Sequence, residues 1–297
     1  MKGRTLLQFW IVTLIWGSTW LIIKTQLASG VPATWSVAYR FLLAGVLMLG
    51  SCLATGKPLR LDRRGHLFAL AMALAQFVGN FNLVYRAETH VTSGLVAVAF
   101  ALLVVPNSLL AWAFLGQRLT TRFALGSLLG IAGVGMLFQH ELAMADFSGA
   151  VFTGLALTLC AILCASSANV LQATETGRAQ PPFAALGIAF LYGGLIDAAL
   201  AWATVGPPVI DTSPGYLGGV IFLAIVASAV AFLLYFDVIR AVGPAKAAYS
   251  SLITPFIALA LSTVFEGYIW SPLAVGGAVL AVGGMWIAMS ARRTSTP

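Results

Sequence analysis

Ten apolar stretches, each near the ~20 residues a helix needs to cross a bilayer, follow one another with short breaks. They run over 5–27, 33–54, 65–86, 92–115, 122–139, 149–172, 182–204, 214–236, 245–265 and 272–291. The breaks carry turn and charge signals, as in "TGKPLRLDRR", "VGPPVIDTSPG" and "IRAVGPAK". No connector is long enough to be a domain, so function must reside among the helices. Charged residues make up 8% of the chain and mean hydropathy is +0.96, whereas soluble domains carry about 25% charged residues. The predicted fold class is therefore all-α, a polytopic membrane protein with ten transmembrane helices.

The net charge of +7 does not point to nucleic acid, because the basic residues sit in the connectors. With the N-terminus cytoplasmic, 13 of the 16 Lys and Arg residues fall on the cytoplasmic side, the bias that sets orientation. Lys24 and Arg86 lie on the far side and Arg40 lies inside the second span. Both termini are thus expected in the cytoplasm. The apolar run after the basic N-terminus exceeds a signal-peptide core and reads as the first span. Cys52, Cys160 and Cys164 lie within apolar segments and give neither a disulfide framework nor a metal site. No metal or other cofactor is expected.

The two halves resemble each other. Pro106 and Pro255 are 149 residues apart, as are Gln117 and Glu266. Gly126 with Gly276 and Gly133 with Gly283 differ by 150, and Phe81 with Phe232 by 151. Each half holds five spans, so the second enters the membrane from the opposite face. The expected organisation is a five-helix repeat over 1–140 and an inverted copy over 147–293. Secondary transporters use this plan and hold substrate near the midplane between repeats.

The strings "WGSTW", "PATWSVAYRFLLAG", "VVPNSLLAWAFLGQRL" and "ITPFIALALSTVFEG" resemble the EamA-type drug/metabolite transporters, whose patterns read W-G-S, P-x(7)-R-x(3)-A and P-…-L-G-E-R-L. The resemblance covers essentially the whole chain. It departs at Gln117, where the family usually has Glu, and at "VFEG". Length and aromatic content are similar to the aromatic amino-acid exporter branch called YddG. The resemblance implies an exporter of small amphipathic metabolites, foremost amino acids including aromatic ones, in a bacterial cell (inner) membrane. A multidrug exporter of lipophilic cations is the alternative with the same fold.

Helical wheels give candidate site residues. Trp16 and Trp20 bracket one face of the first span around Gly17. Gln76 and Asn80 share a face of the third, with Phe81 and Tyr85 beside them; Asn82 points away from Asn80. Phe100 and Asn107 share a face of the fourth, Asn169 lies on a polar stripe of the sixth, and Tyr249 and Ser250 precede Pro255 in the ninth. These are the candidate substrate-binding residues: an amide-and-aromatic surface suits a zwitterion with an apolar side chain. Pro106 and Pro255 interrupt equivalent spans and are candidate hinges. Arg40 and Asp197 are the buried charges, at similar depth. Each either pairs within the protein or, for Arg40, meets a substrate carboxylate. Asp197 is the deepest carboxylate available for proton coupling. The glycine runs "GSLLGIAGVG" and "GGAVLAVGG" read as packing faces, a homodimer contact among their uses. No Walker A string, in-span His–acid pair or selectivity-filter signature is present, which argues against an ATPase, a membrane enzyme and a channel.

Overall fold

In the computed structural model, residues 1, 3–91, 93–117, 119–137, 139, 149–265 and 270–290 are described. Glu266, Glu141, Asp146, Lys2, Arg118, Arg292 and Arg293 lie outside them, as do the outer bounds of the expected repeats near 140, 147 and 293. Among the described residues the chain forms ten successive helices: α1 (Gly3–Leu27), α2 (Ala33–Thr55), α3 (Arg63–Ala87), α4 (93–115), α5 (Thr121–Leu137), α6 (Gly149–Ala173), α7 (Pro182–Val205), α8 (Pro214–Val242), α9 (244–265) and α10 (Pro272–Ser290). A one-turn helix, Glu175–Ala179, joins α6 to α7. The fold is all-α and polytopic, two inverted five-helix repeats. Six of the helices are long and apolar enough by themselves to cross a membrane: α1, α2, α3, α6, α7 and α8.

Local chemistry explains where these helices start and stop. Asp62 opens α3 by accepting from the Gly65 amide at 2.7 Å, satisfying one of the orphan donors of a helix N-terminus. Ser213 does the same for α8 toward the Tyr216 amide, with Pro214 at the first helical position. Gly56 and Gly116 end α2 and α4 in the left-handed conformation, at φ 67° and 63°. α8 runs six residues past the end expected from its apolar pattern, because Asp237 and Arg240 are polar yet remain helical.

Packing follows a two-fold scheme. α2 packs on α7 and α5 packs on α10, each helix meeting its own counterpart. α1 meets α8 and α9, while α6 meets α3 and α4, the same pattern with each number shifted by five. Glycine permits the two self-pairings. A β-carbon on Gly45 would lie 2.9 Å from the Leu191 amide nitrogen, and one on Gly194 would lie 2.7 Å from that of Leu42. In the other pair, a β-carbon on Gly126 would lie 2.5 Å from the Gly284 carbonyl oxygen. The expected glycine faces of α5 and α10 therefore meet within one chain.

The repeats also share an irregularity. α3 contains a π-helical stretch, Ala73–Asn80, and α8 contains one at Ile225–Val230. Shifted by the 151 residues that separate Phe81 from Phe232, the second falls on 74–79, inside the first. A π-helical stretch disturbs the hydrogen-bond ladder and turns the following side chains onto a new face. α4 is broken by a 3₁₀ turn at Ala101–Leu103. Pro106 therefore lies in the first turn of the α-helix that follows, Val104–Leu115, where a missing N–H costs little. Pro255 lies buried inside the longer piece of α9, Tyr249–Phe265. The outer surface is apolar, with Leu53, Phe114, Phe152 and Trp286 among the most exposed side chains, as a lipid-facing surface requires.

Candidate functional site

A cavity of about 130 Å³ lies between the repeats. Its size is close to the ~150 Å³ of an engineered cavity that accepts benzene. Trp16 forms part of its wall and packs edge-on against Tyr235 and Phe232, with ring centroids 4.7 and 5.3 Å away. Its indole N–H donates to the Ala227 carbonyl at 3.2 Å, a group of the α8 π segment. Trp20 packs against Phe100 at 6.4 Å and its own indole N–H is buried without a partner.

Amides and hydroxyls supply the polar part. Gln76 donates to Asn80 Oδ1 at 3.3 Å, and Asn80 donates to the Ala161 carbonyl of α6 at 2.9 Å. Asn169 donates to Asn107 Oδ1 at 3.4 Å and to Tyr235 Oη at 3.5 Å. Ser250 is buried, and its hydroxyl lies near that of Tyr235 without a hydrogen bond of good geometry. Of the expected site residues, Trp16, Trp20, Gln76, Asn80, Phe81, Phe100, Asn169 and Ser250 line the cavity. Tyr85, Asn107 and Tyr249 stand outside it. Tyr85 donates to Gln26 Oε1 at 3.3 Å, Asn107 donates to the Pro244 carbonyl at 3.1 Å, and Tyr249 pairs with the Ser127 hydroxyl at 2.6 Å. Each of the three ties helices together. Thr19, Ser251, Phe232 and Tyr235 line the cavity although the helical wheels did not select them as site residues.

Arg40 is 1% exposed and reaches the cavity wall. Its Nε donates to Ser228 Oγ at 2.8 Å, and Nη2 reaches the Ala227 carbonyl at 3.5 Å. The guanidinium lies over the Phe81 ring, 4.5 Å from its centroid. Nη1 is buried and makes no hydrogen bond of good geometry, and the Tyr85 hydroxyl is a further neighbour of the guanidinium. Asp197 takes no part in this arrangement. It accepts at Oδ1 from Asn82 at 2.7 Å, and Asn82 also donates to the Val78 carbonyl at 2.9 Å. Each buried charge therefore engages the π segment of the opposite repeat: Arg40 of α2 on α8, and Asp197 of α7, through Asn82, on α3. The ordinary partners of these π-segment carbonyls are displaced, which is why polar side chains gather there.

Asn82→Leu strips Asp197 of its donor and should destabilise the protein by about 1–3 kcal/mol, the cost of an orphaned buried acceptor. Pairing it with Asp197→Leu should recover most of that loss, since an apolar pair is better tolerated than a half-removed polar one. Melting temperatures of the two singles and the double in detergent check this. A double variant no more stable than Asn82→Leu would contradict it.

Where helices end, polar ties link them at the face that carries the start of α1. Gln8 donates to Asp237 at 3.1 Å, and Arg240 donates to the Gly177 carbonyl at 3.1 Å. With its amide oxygen turned toward Arg240, Gln172 accepts from Nε at 2.9 Å and from Nη2 at 2.8 Å. At the opposite face, Glu88 follows α3 with both carboxylate oxygens buried and unpartnered. Burial pushes its pKa up to about 8. A carboxyl raised in the folded state stabilises fully below its ordinary value and loses that contribution as pH rises through about 8. The melting temperature should therefore fall from pH 5 to pH 9, and Glu88→Gln should flatten that dependence. An unchanged slope in the variant would contradict the assignment.

The EamA-like transporter family model matches the chain twice, over residues 4–139 and 152–290. The chain belongs to the EamA-like transporter family. Among similar proteins, the uncharacterized inner membrane transporter YedA of Escherichia coli strain K12 is 29% identical, covering 91% of this chain and 86% of its own. The probable terminal-alkyne amino-acid exporter of Streptantibioticus cattleyicolor is 26% identical over 67% of this chain and 65% of that one. A solved crystal structure, 20% identical, matches with a TM-score of 0.78 over 97% of both chains and shares the fold. This EamA-like chain is a membrane transporter, not an enzyme. Its cavity draws walls from both matched ranges: α1 to α4 from the first, and α6, α8 and α9 from the second. Among the described residues, no cluster of His, Cys, Asp and Glu suited to a metal ion is found.

Proposed function

We propose that this EamA-like transporter exports small amphipathic metabolites by alternating access, amino acids including aromatic ones foremost. The cavity between the repeats carries the reading. It pairs rings, which suit an apolar side chain, with amides and a guanidinium, which suit a small polar head. The name of the Streptantibioticus cattleyicolor relative, an amino-acid exporter, supports the substrate class. The repeats over 1–140 and 147–293 rock against each other, Pro106 and Pro255 serve as hinges, and the ties of Arg240, Gln172 and Gln8 break when the cavity opens toward them. The protein sits in a bacterial inner membrane with both termini cytoplasmic, as the Lys and Arg bias requires. The facing glycines of α5 and α10 are spent within the chain, so a homodimer through them is not needed for a complete pathway.

Cells preloaded with labelled phenylalanine test this reading. Cells producing the transporter should lose label faster than cells carrying an empty vector, and Ser250→Cys should become blockable by a permeant maleimide. Equal loss from both would overturn the reading. Movement down the substrate gradient needs no coupling residue. A pH gradient that accelerates transport in proteoliposomes, and ceases to do so in Asp197→Asn, would instead assign proton exchange.

A further inference from the structure

The inference concerns the charge inside the cavity and rests on the transport reading above. Arg40 brings a cation to the cavity wall, yet the described lining residues include no Asp or Glu. The other buried charge, Asp197, is held by Asn82 and does not line the cavity. A guanidinium out of water is normally paired and fully hydrogen-bonded, because the desolvation cost is otherwise uncompensated. Here the protein completes only part of the set. Ser228 holds Nε, the Ala227 carbonyl sits at the limit of reach of Nη2, the Tyr85 hydroxyl approaches the guanidinium from outside the cavity lining, and Nη1 makes no hydrogen bond of good geometry. The contact over Phe81 and the short Nε bond hold the group in place. What is left is the Nη side of a rigid fork, the geometry that matches a carboxylate.

We infer that Arg40 is the anchor for a substrate carboxylate and that the cavity selects carboxylate-bearing amphiphiles over cationic ones. The carboxylate supplies the missing counter-charge and accepts from Nη1. The apolar remainder of the substrate then lies against Trp16, Phe100 and Phe232, all of which line the cavity. The Ser250 hydroxyl, which makes no hydrogen bond of good geometry and lies near the Tyr235 hydroxyl, offers an acceptor for an ammonium group, so a zwitterion fits, but the ammonium is the secondary contact. A lipophilic cation meets a like charge with no acid to offset it, and the cavity rejects it.

Four probes that share one ring decide the matter: L-phenylalanine, 3-phenylpropionate, L-phenylalaninamide and phenethylamine. The first two carry a carboxylate; the last two do not. Binding to the purified full-length protein is followed by thermal shift, and competition by inhibition of labelled L-phenylalanine uptake into proteoliposomes. The expected result is that both acids bind and that the amide and the amine bind at least about tenfold more weakly, the loss expected for one charge-assisted hydrogen bond. Arg40→Gln should erase the difference between acid and amide, and Arg40→Lys should keep part of it. If Arg40→Gln does not fold, the ligand series on the unaltered protein still decides. Binding of amide or amine as tightly as the acids overturns the anchor and leaves the transport reading standing. Binding of none of the four overturns the transport reading itself, and the anchor with it.

Discussion

Gly133→Leu is expected to cost about 3 kcal/mol, a large share of the stability of a folded protein. At Gly133 a β-carbon would run into the backbone nitrogen of Ala281 and stand 2.6 Å from the Gly277 carbonyl oxygen. Both obstacles are main chain in α10, so no side-chain rotation relieves them. The neighbouring contacts are equally close: a β-carbon on Gly284 would lie 2.5 Å from the Gly130 nitrogen. α5 and α10 would have to separate along their whole shared face, losing the close van der Waals contact that drives helix association in lipid. Overpacking costs about 1–3 kcal/mol and sometimes more; a backbone collision belongs at the upper end, on the order of a hundredfold in the folding equilibrium. Gly135→Leu is the control, because Gly135 has open space where a β-carbon would sit. Fluorescence-detected size exclusion of tagged variants compares the two. Equal monodisperse peaks would show that the glycine faces do not set the distance between these helices.

Trp16→Ala should abolish transport and cost stability together. The substitution removes the ring that meets Phe232 and Tyr235 and the indole N–H that serves the Ala227 carbonyl. Among side-chain donors, that carbonyl would keep the 3.5 Å contact from Arg40. Large aromatic truncations in a packed interior cost about 3–5 kcal/mol. The cavity would also lose the flat surface proposed to receive the substrate side chain, so uptake should fall by at least about tenfold, the price of one lost stacking contact with its hydrogen bond. Trp16→Phe keeps a ring and should recover much of the melting temperature while leaving the carbonyl short of its donor. Wild-type uptake by Trp16→Ala would remove Trp16 from the site.

Much of this arrangement could be read from residues alone, and the failures have physical causes. Ten spans emerged from length and polarity, and the repeat from its paired prolines and glycines, because lipid exposure writes itself into composition. The end of α8 did not: Asp237 and Arg240 break the apolar pattern, while their side chains bond to Gln8 and Gly177 and the helix continues to Val242. The π segments have no signature in "ALAQFVGN" or "IVASAV". A wheel drawn at 100° per residue cannot follow a chain through them. Tyr85, five residues beyond the α3 segment, was therefore grouped with Phe81 but turns to Gln26. Tyr235, beyond the α8 segment, lines the cavity and was not selected as a site residue. Equal depth suggested an Arg40–Asp197 pair, but depth fixes only one coordinate, and each residue serves a π segment across the repeat boundary.

The central claim is a single cavity, shared by two inverted repeats, that faces one side of the membrane at a time. Counterflow tests it most directly. Proteoliposomes loaded with unlabelled L-phenylalanine, diluted into a trace of labelled L-phenylalanine, should accumulate label transiently above its external concentration, because the carrier returns loaded. Uptake that rises smoothly to equilibrium with no overshoot, while label still crosses, would identify an open pathway and contradict the account.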